Sequence, residues 1–469
     1  MSETQALFAA LRQLADGEAV AAVERLVQDG PDRALCRLNV FDFAAATGVD
    51  IERVIAVFLH ASRLGLFELS WNVLCPGCGG VLDASATLKS LNRDEYHCAL
   101  CAAGYEATLD EMVEVAFTVS PRVRRIGAHD PDTLPPVEYC RQMFWGSGID
   151  LPENFEQLIE DITLDFVELP AGEKALLSLQ LPAEFLIAFD PVSHATQFLD
   201  VKGEPTRDRQ TLSFIIDLVH RPNETIPLRP GPLRLSVENR TRRRVLAGVW
   251  IAGHALHELL GRRKPFLTAK RLLTNQTFRD IYRTDTLDVD QRLKITSMTF
   301  LFTDLKGSTA LYERVGDLAA FDLVRAHFRV LHEIVAAEAG AVVKTIGDAV
   351  MATFPTPDRA VAAALRMRDA MGRLNDSHAS SEDLVLKIGI HEGPCLAVAL
   401  NERQDYFGQT VNIAARVQAL VNSRAIFATE SVVTDSGTAR LLQASGIEPV
   451  AQRHTLRGIE AEVTLYEIP

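Results

Sequence analysis

Two aspartates follow strand-like apolar runs in the last third of the chain, and each lies beside a turn that contains glycine. Asp304 precedes Gly307, Ser308 and Thr309 and then a long helical pattern, so backbone N–H groups at that helix start would face a bound phosphate. Asp348 lies at the tip of a tight turn between two further apolar runs. Because paired carboxylates that hold hard divalent cations suit chemistry on a polyphosphate, this pattern predicts a two-metal nucleotide site.

A third motif follows about 60 residues later, in a segment with a helical pattern. Asn412 and Arg416 are four positions apart there, so both side chains project from one face of the helix. A fixed guanidinium beside an amide donor is suited to stabilising negative charge that develops on a phosphorus centre. Each motif alone indicates little, but the three together, in this order, predict a catalytic site.

With these three motifs, residues 296–469 resemble the class III nucleotidyl cyclase catalytic domain, which has a ferredoxin-like fold. The resemblance implies that Asp304 and Asp348 hold two Mg²⁺ or Mn²⁺ ions, and that the carbonyl of Leu305 completes the shell of one of them. It also implies that the protein mainly positions its substrate and neutralises charge, since no side chain in the motifs is an obvious general base.

The resemblance also assigns residues to the substrate. Lys344 and Asp405 match the pair that reads the purine edge, and the combination of Lys with Asp is the one associated with adenine, so ATP is the expected substrate. Asn412 and Arg416 match the residues that orient the ribose and stabilise the transition state. Arg457 matches a basic phosphate-binding position near the C-terminus.

The implied reaction is attack of the ribose 3′-oxygen on the α-phosphorus, which gives 3′,5′-cyclic AMP and pyrophosphate. In the family the site forms between two catalytic domains, and this chain has one copy that carries all the residues, so a head-to-tail homodimer is expected. Two alternatives remain open: a guanylate or relaxed-specificity cyclase, and a nucleotide-responsive scaffold protein without turnover. Comparing turnover of ATP with turnover of GTP would distinguish them.

Four cysteines form two Cys-x-x-Cys pairs, and 19 residues separate Cys75 and Cys78 from Cys98 and Cys101. Two such pairs at this spacing are typical of a zinc ribbon, in which each pair supplies two thiolate ligands to a tetrahedral Zn²⁺. Four thiolates leave no open position on the ion, so the zinc is expected to be structural. A redox pair would need only one Cys-x-x-Cys. We expect the ribbon over residues 71–118.

The remaining segments predict a multidomain α+β protein. Residues 1–70 have helical apolar spacing and look like a winged-helix head, although a small helical bundle fits as well. Residues 119–265 read as a proline-rich connector and then short apolar runs separated by turns, which favours an antiparallel β-sandwich. Residues 266–295 give a helical pattern ahead of the cyclase region at 296–469, in the position of the coupling elements that precede class III cyclase domains.

Composition excludes some classes of partner. The formal net charge is −14, and residues 1–70 are net acidic, which argues against nucleic-acid binding. No run of residues approaches the length of a membrane span, and the first residues lack a signal-peptide pattern, so the expectation is a cytoplasmic protein. The sequence predicts a regulatory N-terminal region, but it does not distinguish a small-molecule regulator from a protein regulator.

Overall fold

The computed structural model describes residues 3–91, 93–217, 225–282, 287, 291–306, 313, 316–377, 385–400, 403–459 and 462–469. The chain divides into two compact units. The N-terminal unit comprises Met1–Ala86, Arg93–Ala107 and Met112–Leu267. The C-terminal unit comprises Thr87–Asn92, Thr108–Glu111 and Thr268–Pro469.

The N-terminal unit begins with four helices: α1 (Glu3–Leu11), α2 (Gly17–Asp29), α3 (Val40–Thr47) and α4 (Ile51–Arg63). The carboxylates of Asp16 and Asp50 cap α2 and α4, where each accepts hydrogen bonds from two backbone N–H groups of the first turn. The amphipathic pattern of α4 buries Phe58, whose ring packs edge-on against Phe67 at a centroid distance of 5.1 Å. Helix α4 is therefore the core element of the head.

A three-stranded antiparallel sheet follows the helices, in the order β2-β1-β5: β1 (Phe67–Leu74), β2 (Val81–Ser85) and β5 (Val113–Val119). Residue 70, where the head was predicted to end, lies within β1. Because β1 pairs with β5 along its length, the cysteine-containing segment between them is an insertion within the sheet of the head. That insertion carries a short hairpin, β3 (Tyr96–Cys98) and β4 (Ala103–Tyr105).

A connector leads to a β-sandwich. The connector includes α5 (Pro136–Tyr139), which continues into a π-helical turn (Cys140–Phe144), and α6 (Phe155–Ile162). The eight strands of the sandwich are β6 (Thr163–Leu169), β7 (Lys174–Leu181), β8 (Phe185–Phe189), β9 (Thr196–Val201), β10 (Gln210–Ile216), β11 (Thr225–Leu228), β12 (Gly231–Asn239) and β13 (Val245–Ile251), and α7 (His254–Gly261) follows them. The sheets have the orders β10-β12-β7 and β11-β9-β8-β13-β6, and apolar side chains from both sheets form one core.

The prediction of an antiparallel sandwich holds for four of its strand pairs and is wrong for two. Strand β10 runs parallel to β12, and β11 runs parallel to β9, whereas the other pairs are antiparallel. From β9 to β12 the chain alternates between the two sheets: β9 and β11 belong to the five-stranded sheet, and β10 and β12 belong to the three-stranded sheet. Both members of such a pair enter their sheet from the same end, and they therefore run in the same direction.

The C-terminal unit starts with two short helices, α8 (Ala269–Leu273) and α9 (Gln276–Ile281). The strands and helices after them are β14 (Leu293–Lys306), α10 (Asp317–Ala337), β15 (Ala341–Ile346), β16 (Ala349–Phe354), α11 (Pro357–Ser377), β17 (Val385–Leu400), β18 (Arg403–Phe407), α12 (Gln409–Ala419), β19 (Ile426–Thr429), α13 (Glu430–Val433), α14 (Ser436–Ala444), β20 (Val450–Thr455) and β21 (Glu462–Ile468).

One sheet with the order β15-β16-β14-β17-β19-β21-β20 holds this unit together, and β18 pairs with β17 beside it. Its first four strands, with α10 and α11, form a βαββαβ unit whose strand order is that of the ferredoxin-like fold. Apolar side chains of α10 and α11, such as Leu331 and Met367, pack with Phe354 and Ile390 of the sheet in one buried core. The two helices thus cover one face, and the central strand β14 is buried along most of its length.

A segment of the cysteine-containing insertion is built into the C-terminal unit. The carboxylate of Asp110 accepts hydrogen bonds from the backbone N–H groups of Thr296 (3.0 Å) and Ser297 (3.2 Å), and from the Thr296 hydroxyl. These residues lie at the bulge of β14. The side-chain amide of Gln291, just before β14, donates to the carbonyl of Leu91 (2.6 Å). Two pieces of the insertion, at Leu91 and at Asp110, are therefore hydrogen-bonded to the start of β14.

Among the helices in the part of the chain that the structure describes, none combines the length and the apolar character needed to cross a membrane.

Candidate active site

Asp304 and Asp348 are brought together by the pairing of β14 with β16. Asp304 follows Thr303, which pairs with Val350 of β16, and Asp348 lies in the turn that leads into β16. Gly347 in that turn has a φ of +64°, a left-handed conformation that suits glycine. Burial and the negative charge of Asp348 both raise the pKa of the Asp304 carboxyl.

Two neighbouring side chains, and a backbone hydrogen bond from Leu305, oppose that rise in the Asp304 pKa. The ammonium of Lys387, on β17, lies 3.8 Å from Oδ2 of Asp304, and the side chain of Gln418, on α12, lies beside the same carboxylate. Sequence reasoning missed both residues, because neither belongs to a local motif. Lys387 could have been found from the pairing of β14 with β17, in which it lies directly opposite Asp304.

The two aspartates fit a divalent metal site. Oδ2 of Asp348 is buried, and it has no hydrogen-bond partner among the described residues. A buried carboxylate oxygen without a partner, next to a second carboxylate, is costly unless a cation compensates it, and carboxylate oxygens are the ligands that Mg²⁺ and Mn²⁺ prefer. Leu305 follows Asp304 in β14 with its side chain buried. Gly307, Ser308 and Thr309, predicted to face a phosphate, lie outside the described residues.

Lys344 and Asp405 form an ion pair. Nζ of Lys344, on β15, lies 2.5 Å from Oδ2 of Asp405, on β18, although 61 positions separate the residues in the sequence. Only 11% of the Asp405 side chain is exposed, against 43% of the Lys344 side chain. The backbone N–H of Tyr406 donates to the other carboxylate oxygen of Asp405 at 2.8 Å, which orients the carboxylate. The structure therefore joins the two residues that the sequence predicted to read the purine.

Helix α9 contacts both strands that carry this pair. Nη2 of Arg279 donates to the carbonyl of Gln404 (2.9 Å) and reaches the carbonyl of Val343 (3.4 Å). These carbonyls belong to the residues immediately before Asp405 and Lys344. Arg279 and Lys344 also line one cavity of about 250 Å³. Sequence reasoning missed Arg279, because its partners are main-chain atoms.

Asn412 and Arg416 both lie on α12, as predicted; Asn412 is exposed and Arg416 is half-buried. Helix α12 packs on β17, where the backbone of Gly389 approaches Gln418 so closely that a Cβ at position 389 would lie 2.2 Å from the Gln418 nitrogen. The guanidinium of Arg416 reaches the turn that contains Arg457, since a Cβ at Gly458 would lie 3.5 Å from Nη2 of Arg416. Arg457 itself is exposed.

Within the described parts of the chain, no hydrogen bond or ion pair joins the aspartate pair to the Lys344–Asp405 pair, or either pair to Asn412 or Arg416. The structure thus assembles the predicted site residues as three separate groups on one sheet and its helices.

The four paired cysteines converge in the N-terminal unit. Their Sγ atoms all lie within 4.8 Å of one another, and two of the separations, Cys75 to Cys101 and Cys78 to Cys98, are 3.6 Å. Four thiolates that bind one tetrahedral zinc ion at about 2.3 Å would be about 3.8 Å apart. Gly77 is required between the first two, because a Cβ there would lie 2.9 Å from Sγ of Cys101. The donor set fits a structural zinc ion.

Comparison with known proteins gives two family matches that together span most of the chain. Residues 1–280 match a family described as a family of unknown function (DUF5939), and residues 291–459 match the adenylate and guanylate cyclase catalytic domain. The first match covers more than half of the 469 residues. The chain belongs to the DUF5939 family. Its C-terminal part is a nucleotidyl cyclase catalytic domain.

Several curated proteins are similar to the cyclase domain. An adenylate cyclase of Anabaena cylindrica is 26% identical over 185 residues, which cover 36% of this chain and 36% of the relative. Adenylate cyclase 2 of Rhizobium meliloti is 35% identical over 132 residues, 26% of this chain and 36% of the relative. Guanylate cyclase 32E of Drosophila melanogaster is 28% identical over 160 residues, 32% of this chain and 13% of the relative.

The match thus spans about a third of the length of the first two relatives. Because relatives with both names occur, the domain match alone does not distinguish ATP from GTP. Among solved structures, the adenylyl cyclase CyaB from P. aeruginosa is similar, with 22% identity, a TM-score of 0.34, and coverage of 38% of this chain and 96% of that chain. The guanylate cyclase domain of RhGC from Catenaria anguillulae has 21% identity, a TM-score of 0.32, and coverage of 38% and 97%.

Proposed function

We propose that this member of the DUF5939 family is an adenylate cyclase that converts ATP to 3′,5′-cyclic AMP and pyrophosphate. The observation that carries the proposal is the ion pair between Lys344 and Asp405. The ammonium can donate to N1 of adenine, and the carboxylate can accept from the exocyclic amine. Guanine has a carbonyl oxygen where adenine has that amine, so its edge would bring an acceptor against the Asp405 carboxylate. Because the relatives include both adenylate and guanylate cyclases, the preference for ATP depends on this ion pair.

The aspartate pair supports a metal-dependent reaction. Asp304 and Asp348 would hold Mg²⁺ or Mn²⁺, with the Leu305 carbonyl as a further ligand, and the ions would supply neutralisation of the triphosphate charge. The buried Oδ2 of Asp348, which has no partner among the described residues, supports this assignment. Lys387, which lies 3.8 Å from Asp304, adds positive charge beside the carboxylate.

The remaining groups act on the ribose and the phosphates. The ribose 3′-oxygen attacks the α-phosphorus, a new 3′-O–P bond forms, and the bond to pyrophosphate breaks. In this proposal Asn412 orients the ribose, and the Arg416 guanidinium stabilises the charge that develops on the phosphorus oxygens. Arg457, in the turn that Arg416 reaches, would bind the phosphate chain.

The lack of direct bonds between these groups supports a homodimer. The aspartate pair and the residues for purine and ribose are not joined within the described chain, and Asn412 is exposed on α12. We infer that the metal residues of one chain and the purine and ribose residues of a second chain complete each site, in a head-to-tail dimer with two equivalent sites.

The N-terminal region would regulate the site through α8 and α9. Besides the bonds of Arg279, Oε1 of Gln276 accepts from the backbone N–H of Val342 (2.8 Å), and the Tyr406 hydroxyl reaches the carbonyl of Leu273 (3.4 Å). These contacts hold β15 and β18, the two strands on which Lys344 and Asp405 lie. A shift of α9 would therefore change the spacing of the purine-reading pair.

The deciding experiment is product formation by the purified full-length chain, with ATP or GTP and magnesium or manganese, with Asp348→Ala measured alongside. Cyclic AMP from the parent chain and none from the variant is the expected result. Equal turnover of ATP and GTP would instead favour the relaxed-specificity alternative, and no product from either nucleotide would favour the scaffold alternative.

We also propose a structural zinc ion at Cys75, Cys78, Cys98 and Cys101. Elemental analysis of the freshly purified chain should find one zinc per chain, and Cys98→Ser should lose it. The matched control is Cys395→Ser, which removes a buried thiol outside the cluster and should keep the metal. A parent chain without stoichiometric metal would overturn the assignment.

A further inference from the structure

A cavity of about 420 Å³ is lined by residues of the N-terminal unit. Its walls come from α2 and α3, from the turn between them, from residues 141–151 and from Lys264. Phe43, Trp145 and Ile149 supply apolar surface. The volume is in the range of small-molecule sites, and the combination of apolar walls with a few charged groups is typical of them.

The charged groups that line this cavity are mostly basic. Arg33, Arg37, Arg141 and Lys264 line it together with a single acidic residue, Asp42. This surplus of positive charge occurs in a chain whose formal net charge is −14. Arg141 pairs with Glu138 at 3.0 Å and Lys264 pairs with Asp42 at 2.6 Å. Arg33 and Arg37 have no carboxylate partner among the described residues.

Arg37 is the most informative of these cations. It is half-buried, and among the described residues its guanidinium donates to a neutral acceptor, the carbonyl of Met143 (2.5 Å). Its φ is +44°, a left-handed conformation that costs free energy for a residue other than glycine. A partly buried guanidinium held in such a conformation without a counter-ion is destabilising unless an anion accompanies it.

Two buried polar groups on the cavity wall also lack partners among the described residues. Oε1 of Gln142 has no donor, and the indole N–H of Trp145 has no acceptor. Both residues are more than nine-tenths buried, with exposures of 8% and 2%. Unpaired buried polar groups are rare in folded proteins because they lose their hydrogen bonds to water. An anionic oxygen in the cavity would give the indole N–H an acceptor.

We propose that this cavity binds a small organic anion, in which an acid group (carboxylate, sulfonate or phosphate) is carried by an apolar body. The guanidinium groups of Arg33 and Arg37 bind the acid group, and the apolar body packs between Phe43, Trp145 and Ile149. Charge attracts the ligand, and shape and apolar contact select among anions.

The position of Lys264 links this cavity to the segment that leads to α8, so we infer that the bound anion acts as an effector. The next residue, Pro265, accepts a hydrogen bond from Asn39 Nδ2 at 2.8 Å, and the chain then continues into α8 at Ala269. An anion that competes with Asp42 for Lys264 acts on the segment that leads to helices α8 and α9. This regulatory role depends on the proposed cyclase activity, whereas binding of the anion does not.

The test is a binding titration of the full-length chain, followed by fluorescence, with anilinonaphthalene sulfonate as the probe. Its uncharged analogue, phenylnaphthylamine, has the same aromatic body without the acid group. We expect one saturable site per chain for the sulfonate, and binding of the neutral analogue that is weaker by about tenfold or more, since loss of a charge-assisted hydrogen bond typically costs that much.

Variants locate the site. Arg33→Glu and Arg37→Ala should each weaken sulfonate binding by about tenfold or more, and Arg37→Lys should weaken it less than Arg37→Ala, because the charge stays although the planar guanidinium is lost. Arg242→Glu is the matched control: it makes the same charge change as Arg33→Glu at an exposed residue of the β-sandwich outside the cavity, and it should leave binding unchanged. If Arg37→Ala lowers the unfolding temperature, the exposed Arg33 decides the test alone.

Three results would overturn the proposal. The first is the absence of saturable binding, and the second is equal affinity for the sulfonate and its neutral analogue, which would indicate a merely apolar surface. The third is unchanged affinity in Arg33→Glu together with unchanged affinity in Arg37→Ala.

Discussion

Asp304 and Asp348 bring two negative charges together, whereas Lys344 and Asp405 bring together charges of opposite sign. The first pair raises the pKa of one of its own members and leaves a buried oxygen without a partner among the described residues. The second pair is already satisfied by its own ion pair and by the Tyr406 backbone N–H. Under the proposed function, the first pair would be completed by a cation, whereas the second would exchange its internal contact for contacts with a base.

The largest effect should come from breaking the like-charged pair. Asp348→Asn should lower cyclase activity by about 100-fold or more, because the site loses a metal ligand. The unfolding temperature in a chelator should not fall, since the substitution removes repulsion from Asp304. Asp369→Asn, an exposed acid on α11, is the control and should change neither quantity. A clear loss of stability in Asp348→Asn would contradict the reading of this pair as two repelling carboxylates.

Mixing inactive variants tests whether the two pairs act across chains. Asp348→Asn and Arg416→Ala should each be inactive, but co-expressed in equal amounts they should recover roughly a quarter of the parent activity, because half of the dimers are mixed and each mixed dimer has one intact site of two. Asp348→Asn co-expressed with Asp304→Asn should recover none, since both changes fall on the same half-site. Failure of the first mixture would indicate sites completed within one chain.

Breaking the oppositely charged pair should cost stability as well as activity. Lys344→Gln should lower turnover of ATP by about tenfold, through a higher KM, because the base loses one of its hydrogen bonds. It should also lower the free energy of unfolding, because Asp405 is left buried without its cation. The expected loss is only about 1–2 kcal/mol, because Lys344 is partly exposed to solvent. Urea unfolding of this variant and of Asp348→Asn compares the two changes in the free energy of unfolding, which should be a loss for Lys344→Gln and no loss for Asp348→Asn.

A smaller and more selective effect is expected from Arg279. Arg279→Ala removes the hydrogen bonds to the strands of Lys344 and Asp405 and should raise KM for ATP by about three- to tenfold, while the magnesium dependence stays unchanged because the aspartate pair is untouched. The control is Arg271→Ala, whose guanidinium bonds instead to the carbonyl of Ala339, before β15 begins. Equal effects of both variants would indicate general loosening of α8 and α9.

His391 lies on β17 outside both pairs, and the effect expected from it is confined to stability at acidic pH. Burial lowers its pKa from 6.5 to about 4, and its Nδ1 lies 2.8 Å from the Thr429 hydroxyl. The folded state therefore binds the proton less tightly than the unfolded state, so stability is full above pH 6.5 and declines toward pH 4, by up to about 1.4 kcal/mol per pH unit. His391→Asn should reduce this decline in urea unfolding, whereas His254→Gln, at an exposed residue, should not.

Local motifs explain which parts of the site could be predicted from the sequence. The residues Asp304 and Asp348 each follow an apolar strand at a turn, and that arrangement is encoded within a few positions. The pairing of Lys344 with Asp405 depends on strands far apart in the chain, so only the resemblance to cyclases indicated it. The bonds of Arg279 go to carbonyls, which every residue has, so no side-chain pattern could have indicated them.

The N-terminal unit was harder to predict because strand patterns do not specify partners. Alternating apolar residues predicted the strands of the sandwich, but not that β10 would lie parallel to β12. The pairing of β1 with β5 joins segments on either side of the cysteine insertion, so a boundary drawn from composition at residue 70 fell inside a strand. The pattern of two Cys-x-x-Cys pairs, by contrast, depends on spacing alone, and its four sulfur atoms lie together.

The hydrogen bonds that Asp110 accepts from the start of β14 limit where the chain can be truncated. A fragment that begins at residue 285 contains all the residues that match the cyclase catalytic domain. It lacks α8, α9 and the two pieces of the insertion, which belong to the same compact unit. Such a fragment would release the bulge of β14 upstream of Asp304 and would lack Arg279. Low activity of this fragment would therefore reflect the loss of these supporting segments. A minimal fragment that keeps the compact unit intact would also have to include residues 87–92 and 108–111.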